Sequence, residues 1–222
     1  MAGFLSTLRR IYLSLYNWTV FVGWFQVLYF AVMALREGGP TTVYGSVERP
    51  LQLAQTAAVM EILHGLVGLV RSPVSATLPQ IGSRLFLTWG ILWSFPETRA
   101  HILVSSLVIS WSITEIIRYS FFGMKEAFGF APSWLLWLRY STFLILYPTG
   151  ITSEVGLIYV ALPYIKCASF IGRNTSFHAN VIMRPVEFCS LDKNFEVKLL
   201  GWLAFASSSL LVDLMVCRYY LF

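Results

Sequence analysis

Charge is the scarcest property of this sequence. Only 12% of its 222 residues are Asp, Glu, Lys or Arg, against about a quarter in an average soluble domain. With 57% hydrophobic residues, a water-facing fold of this size would expose more apolar surface than water tolerates. A soluble globular domain is thereby excluded, and a lipid-facing exterior is implied. Cysteine is scarce too: Cys167, Cys189 and Cys217 are the three present, all in the last quarter. They lack zinc-type spacing and are too few for a disulfide framework. Free thiols are expected, with a Cys167–Cys189 bridge left open if that segment is lumenal. A small-residue cleavage site is also missing after the first apolar run, which therefore reads as a retained helix and not a signal peptide. No internal repeat or low-complexity segment occurs. The net charge of +5 is scattered among apolar runs, which argues against nucleic acid. It fits juxtamembrane anchoring and acidic ligands such as phosphates.

Long apolar stretches are abundant. Residues 11–35 carry no charge and can span a bilayer. Residues 51–70 are interrupted only by Glu61 and His64, residues 74–95 hold Pro79 and Arg84, and residues 101–117 hold Glu115. Residues 134–165 are broken by Pro148 and Gly150, and residues 199–217 contain Asp213. The expected fold is all-α: a polytopic membrane helix bundle of about six transmembrane helices, with seven if the long fifth stretch is two spans. The whole chain, 1–222, reads as a single membrane-embedded domain. Lys and Arg near the helix ends place the N-terminus and the even loops in the cytosol, and the loop at 36–50 in the lumen.

Ionisable groups inside spans are costly and mark functional candidates. The densest polar cluster runs from Arg139 to Glu154, with Tyr147 and Glu154 bracketing Pro148 and Gly150. Seven residues is nearly two helical turns, so a mild kink leaves both side chains on one face. A carboxylate in apolar surroundings suits a base and a phenol can donate a proton, which together fit proton-transfer chemistry. On spacing alone a blander reading stands beside it: Tyr147 an interfacial aromatic, Glu154 a solvated helix-start residue after Thr152 and Ser153. Glu61 and His64 lie three apart on one helix face and read as an internal hydrogen-bonded pair. Glu115 and Arg118, at the same spacing, read as a structural pair.

The stretches LYPTGITSEVGLIY, QIGSRLF and SWSITEIIRYSFF closely resemble the very-long-chain 3-hydroxyacyl-CoA dehydratases, once called protein-tyrosine-phosphatase-like proteins, and within them the plant Pasticcino-type members. The resemblance covers residues 1–166. It implies a lyase that turns very-long-chain (3R)-3-hydroxyacyl-CoA into trans-2-enoyl-CoA, the third step of fatty acid elongation, in the endoplasmic reticulum membrane. It implies Tyr147 and Glu154 as the catalytic pair, with Gln80, Arg84, Arg118, Arg139 and Gly150 as substrate-binding or supporting positions. The implied partners are the acyl-CoA substrate, the condensing enzyme, the ketoacyl-CoA and enoyl-CoA reductases and the lipid bilayer. No metal or redox cofactor is required. Arg84, Arg118 and Arg139 fall at cytosolic span ends and are suited to holding the CoA phosphates or to marking those ends. A helical rise puts Tyr147 about 12 Å deeper than Arg139, and Glu154 about 22 Å deeper.

The older family name does not make this chain a phosphatase. His64 is followed by Gly65, five residues and Arg71, so the position of a cysteine nucleophile holds glycine. Residues 167–198 are polar and mixed in charge, residues 199–217 can supply a last helix, and the final five residues carry no basic tail. Asn174-Thr175-Ser176 forms a sequon that would be lumenal. That divergent tail leaves a catalytically inactive scaffold or regulator of the elongase complex as the alternative. A transporter finds no support in a repeated half or a paired broken helix.

Overall fold

The computed structural model describes residues 2–70 and 74–174, and every regular element among them is helical. Helix α1 (Ala2–Glu37) leads through a 3-10 turn (Pro40–Thr42) into α2 (Val43–Ala57) and α3 (Val59–Leu66). Helix α4 (Val74–Leu85) continues directly as a π-helical segment (Phe86–Trp93), and a second 3-10 turn (Pro96–Thr98) precedes α5 (Ile102–Phe128) and α6 (Ser133–Asn174). The connections are short because their chemistry suits tight reversals. Gly39 takes φ +78°, and Thr42 Oγ1 donates to the carbonyls of Ala34 and Gly39 at 3.1 and 2.9 Å, closing the end of α1. Gly129, at φ +83°, caps α5 with its N–H on the Lys125 carbonyl.

Helix α5 is the centre of the bundle, packed against α1 and against α6, while α2 lies on α1. On α1 the buried residues Val20, Trp24, Val27 and Ala31 recur at three- and four-residue steps, which puts them on one face. They join Val104, Leu107, Val108 and Trp111 of α5, Val47 and Leu51 of α2, and Leu157, Ile158 and Ala161 of α6 in a single core. The opposite faces of the outer helices are apolar as well: Leu5, Leu15, Val22 and Phe25 on α1, and Trp137, Leu144 and Ile145 on α6, are exposed. Apolar residues all round a helix mean that it is surrounded by protein or lipid and not by water.

Among the described residues, three helices are long and apolar enough to cross a membrane: Phe4–Glu37, Ile102–Phe128 and Ser133–Ile165. The middle one is 56% buried over its most apolar window and the outer two only 28% and 22%, which makes α5 interior and α1 and α6 peripheral. About six spans were expected from the apolar stretches. The stretch 51–70 is instead divided at Ala58 between α2 and α3, and the stretch 74–95 changes at Leu85 from α- to π-helix. Neither forms one long α-helix. Residues 199–217, Cys189 and Cys217, and the sequon beyond Asn174 lie outside the described residues.

The break expected at Pro148 and Gly150 does not occur, because α6 runs through both as one helix of 42 residues. Hydroxyls explain the tolerance. Thr149 Oγ1 donates to the carbonyls of Ile145 and Leu146, Thr152 Oγ1 to those of Pro148 and Thr149, and Ser153 Oγ to that of Thr149, all at 2.7–3.1 Å. Such back-bonding gives the carbonyls next to a proline an additional donor in a membrane helix. Residues 133–174 thus contain no reversal of the chain.

Candidate active site

Three helices each turn one polar edge toward a common point. On α6, Tyr147, Gly150 and Glu154 follow at three- and four-residue steps, and on α4 so do Gln80 and Arg84 with Ser83 beside them. On α5 it is Ser110, Trp111 and Thr114. Residues at such steps share a helix face. Together with Phe143, Leu146 and Ile151 they line one cavity of about 50 Å³, room for a few water molecules. Five residues singled out in the sequence therefore meet in one place: Gln80, Arg84, Tyr147, Gly150 and Glu154. The continuous α6 keeps Tyr147 and Glu154 on the same face, with their Cα atoms about 10 Å apart along the axis.

The geometry around each reactive group is specific. Trp111 Nε1 donates to Glu154 Oε1 at 2.9 Å. The Tyr147 ring stacks on Phe143 with centroids 4.6 Å apart. Behind Trp111 the Arg84 guanidinium lies over the indole, 5.5 Å from its centroid, and pairs with Glu115. Glu115 is 2% exposed and accepts from Arg118 Nε through its other oxygen at 2.7 Å. The Arg118 fork then grips both oxygens of Glu61 at 2.8 and 2.9 Å, and the Tyr119 hydroxyl donates to Glu61 as well. Two guanidiniums and two carboxylates thus neutralise one another in a chain across α3, α4 and α5 that is buried at Glu115 and half-buried at Arg118 and Glu61. Glu154 stands at its end with a neutral indole as donor. Two hydroxyl contacts tie α5 to α6 beside the cavity: Ser110 with Thr149 at 3.1 Å, and Ser153 with Ser106 at 2.9 Å.

One expectation is corrected by this chain. Glu61 and His64 do not pair with each other: Glu61 is held by Arg118 and Tyr119, and His64 Nε2 bonds the Tyr12 hydroxyl at 2.8 Å. Arg84 and Arg118, suited in the sequence to holding CoA phosphates or to marking span ends, are both engaged by carboxylates: Arg84 by Glu115, and Arg118 by Glu115 and Glu61. The Glu115–Arg118 pair is present, widened into a bridge to Arg84. Arg139 lies apart from the cavity, its guanidinium over Phe121 and Phe122 at 5.1 and 5.2 Å. Trp111, Ser110 and Thr114 were missed. The signal was legible, because Trp111, Glu115 and Arg118 follow at steps of four and three on α5. Tryptophan in so apolar a chain reads instead as an interfacial residue.

Gly150 sits where the cavity wall needs no side chain. A Cβ added there meets nothing within 4 Å. Gly150→Leu is therefore expected to leave the thermal unfolding of the detergent-solubilised protein unchanged or slightly raised, since leucine is the better helix former. Its isobutyl group would fill the space between Tyr147 and Glu154 and lower kcat/KM at least tenfold.

A bundle of lipid-compatible helices around a cavity that holds a phenol and a carboxylate defines a helical membrane protein with the equipment for internal acid–base chemistry. The chain belongs to the family described as protein tyrosine phosphatase-like protein, PTPLA, which it matches over residues 55–211. That span runs past Lys166, where the motif-level resemblance ends. It is 81% identical over 168 residues to the very-long-chain (3R)-3-hydroxyacyl-CoA dehydratase PASTICCINO 2A of Oryza sativa subsp. japonica, a match covering 76% of each chain. It is 80% identical over 166 residues to the dehydratase PASTICCINO 2 of Arabidopsis thaliana, covering 75% of each. With the very-long-chain (3R)-3-hydroxyacyl-CoA dehydratase 2 of Mus musculus it shares 42% identity over 158 residues, 71% of this chain and 62% of the mouse protein. No solved structure matches it.

Proposed function

We infer that this chain is a hydro-lyase that dehydrates very-long-chain (3R)-3-hydroxyacyl-CoA to trans-2-enoyl-CoA within fatty acid elongation. The shared cavity of Tyr147 and Glu154 is the observation that carries the mechanism, and the dehydratase names of relatives at 80–81% identity support the reaction.

Dehydration must break a C–H bond alpha to the thioester and a C–O bond at the beta carbon. Glu154 takes the alpha proton, and the electron pair left behind becomes the new double bond. Tyr147 gives its phenolic proton to the departing beta hydroxyl, which leaves as water. Glutamate is the base because a carboxylate is ionised at neutral pH and a phenol is not. The cycle closes when the proton on Glu154 passes to the Tyr147 phenolate, so no external reactant is consumed. The separation of about 10 Å along α6 leaves room for the alpha and beta carbons between the two groups. Gln80, Ser110 and Thr114 supply neutral hydrogen-bonding groups on the opposite walls.

In this reading the protein resides in the endoplasmic reticulum as a multi-pass protein of about six spans. The divided stretches 51–70 and 74–95 count among those spans. It works beside the condensing enzyme and the two reductases of the cycle. We assign Arg139, about two turns before Tyr147 on α6, to a CoA phosphate, which a guanidinium suits. Arg139→Glu is expected to raise KM for acyl-CoA at least fivefold with kcat little changed, and an unaltered KM would remove Arg139 from substrate binding. The function itself is tested in microsomes deprived of their own dehydratase. Expression of this chain is expected to restore conversion of a long-chain 3-hydroxyacyl-CoA to the enoyl product. A stably inserted chain that forms none would overturn the assignment and favour a non-catalytic partner of the complex.

A further inference from the structure

Trp111 combines three features that interfacial tryptophans do not share. It is 3% exposed, its N–H is directed at a carboxylate of the reaction centre at 2.9 Å, and a guanidinium covers its ring at 5.5 Å. A buried indole needs a partner for its N–H, and the partner here is Glu154. The indole cannot easily turn away, because Arg84 above it is anchored by Glu115 and Glu115 by Arg118. A glutamate side chain has three torsions, and proton transfer requires its oxygen within about 2.6–3.2 Å of the proton it takes. An error of about 1 Å in such a placement costs on the order of 10²-fold in rate.

We propose that Trp111 is a positioning residue of the dehydration, whose N–H holds Oε1 of Glu154 and thereby assigns Oε2 as the oxygen that receives the alpha proton. The Glu61–Arg118–Glu115–Arg84 chain is the frame that keeps the indole in place. This inference rests on the acid–base reading of Tyr147 and Glu154 and sharpens it, since it names the reacting oxygen and the group that presents it. A core tryptophan with no such role would matter only through its bulk, and phenylalanine would replace most of that bulk.

The experiment compares Trp111→Phe, Trp111→His, Glu154→Gln and the Trp111→Phe/Glu154→Gln pair. Each full-length chain is solubilised in detergent, and rates are taken per monodisperse folded chain. Trp111→Phe is expected to lower kcat at least tenfold with KM within twofold. Trp111→His, which retains a ring N–H, should recover at least threefold of that loss. The double variant should be no slower than Glu154→Gln alone, because once the carboxylate is gone its orientation no longer matters. Wild-type kcat in Trp111→Phe would overturn the proposal. So would a double variant whose losses multiply, the mark of a purely structural residue. If Glu154→Gln retained full activity the acid–base reading itself would fail, an outcome distinct from either of these.

Discussion

Glu154→Gln is expected to lower the turnover of a long-chain 3-hydroxyacyl-CoA by about 10³-fold, in the middle of the range for removing a positioned acid–base group. The substitution is nearly isosteric. Its amide oxygen can still accept the Trp111 N–H, so the contact at 2.9 Å and the packing of α5 on α6 survive while the proton acceptor is lost. KM should move by no more than a few-fold, because the cavity keeps its shape, and steady-state kinetics in detergent or microsomes separates the two constants. Tyr147→Phe should cost about 10²-fold, less than the base, since water in a partly open cavity can supply some of the proton that the departing hydroxyl needs. A Glu154→Gln protein with wild-type kcat would show that the carboxylate does not take the proton.

The second large effect falls on stability. Glu115 is 2% exposed, bonds Arg84 with one oxygen and bonds Arg118 with the other. Glu115→Ala leaves two guanidiniums inside the bundle with Glu61 alone to answer them. Removing one partner of a buried ion pair costs about 3–5 kcal/mol, and here one carboxylate serves two cations. Thermal unfolding of the solubilised protein should drop sharply, and the expressed amount with it. The companion variant Arg84→Met/Glu115→Leu should recover most of the loss, because a well-packed apolar pair can replace a buried ionic one. That variant should nonetheless stay impaired in catalysis, since Arg84 lines the cavity and covers Trp111. Equal unfolding temperatures for Glu115→Ala and the unmodified protein would mean that the bridge contributes nothing to stability.

What the sequence made legible was whatever local spacing encodes. The helix class follows from uninterrupted apolar runs such as residues 11–35, and the Tyr147–Glu154 face follows from a step of seven. The Glu115–Arg118 pair follows from a step of three. What escaped depends on partners far apart in the chain. Arg84 meets Glu115 across 31 residues, Trp111 meets Glu154 across 43, and Arg118 meets Glu61 across 57. A basic residue near a span end carries the same local signature whether it faces a phosphate or a carboxylate, so spacing alone leaves both readings of Arg84 and Arg118 open. Glu61 and His64 misled for the same reason, since adjacency on α3 says nothing of the better partners that α1 and α5 bring. Pro148 misled differently. Its ring suggests a break, but Thr149, Thr152 and Ser153 around it supply the hydroxyls that let α6 continue.

The most direct test of Tyr147 and Glu154 as a working pair is a single-turnover measurement of enoyl-CoA formation. Purified chain is placed in excess over a long-chain (3R)-3-hydroxyacyl-CoA, with Tyr147→Phe, Glu154→Gln and their double variant run beside it at equal folded concentration. The expected result is rapid conversion by the unmodified chain and at least a 10²-fold slower rate in each single variant. The double variant should be little slower than Glu154→Gln, as groups that act as a unit behave. Conversion at the unmodified rate by either single variant would contradict the paired mechanism.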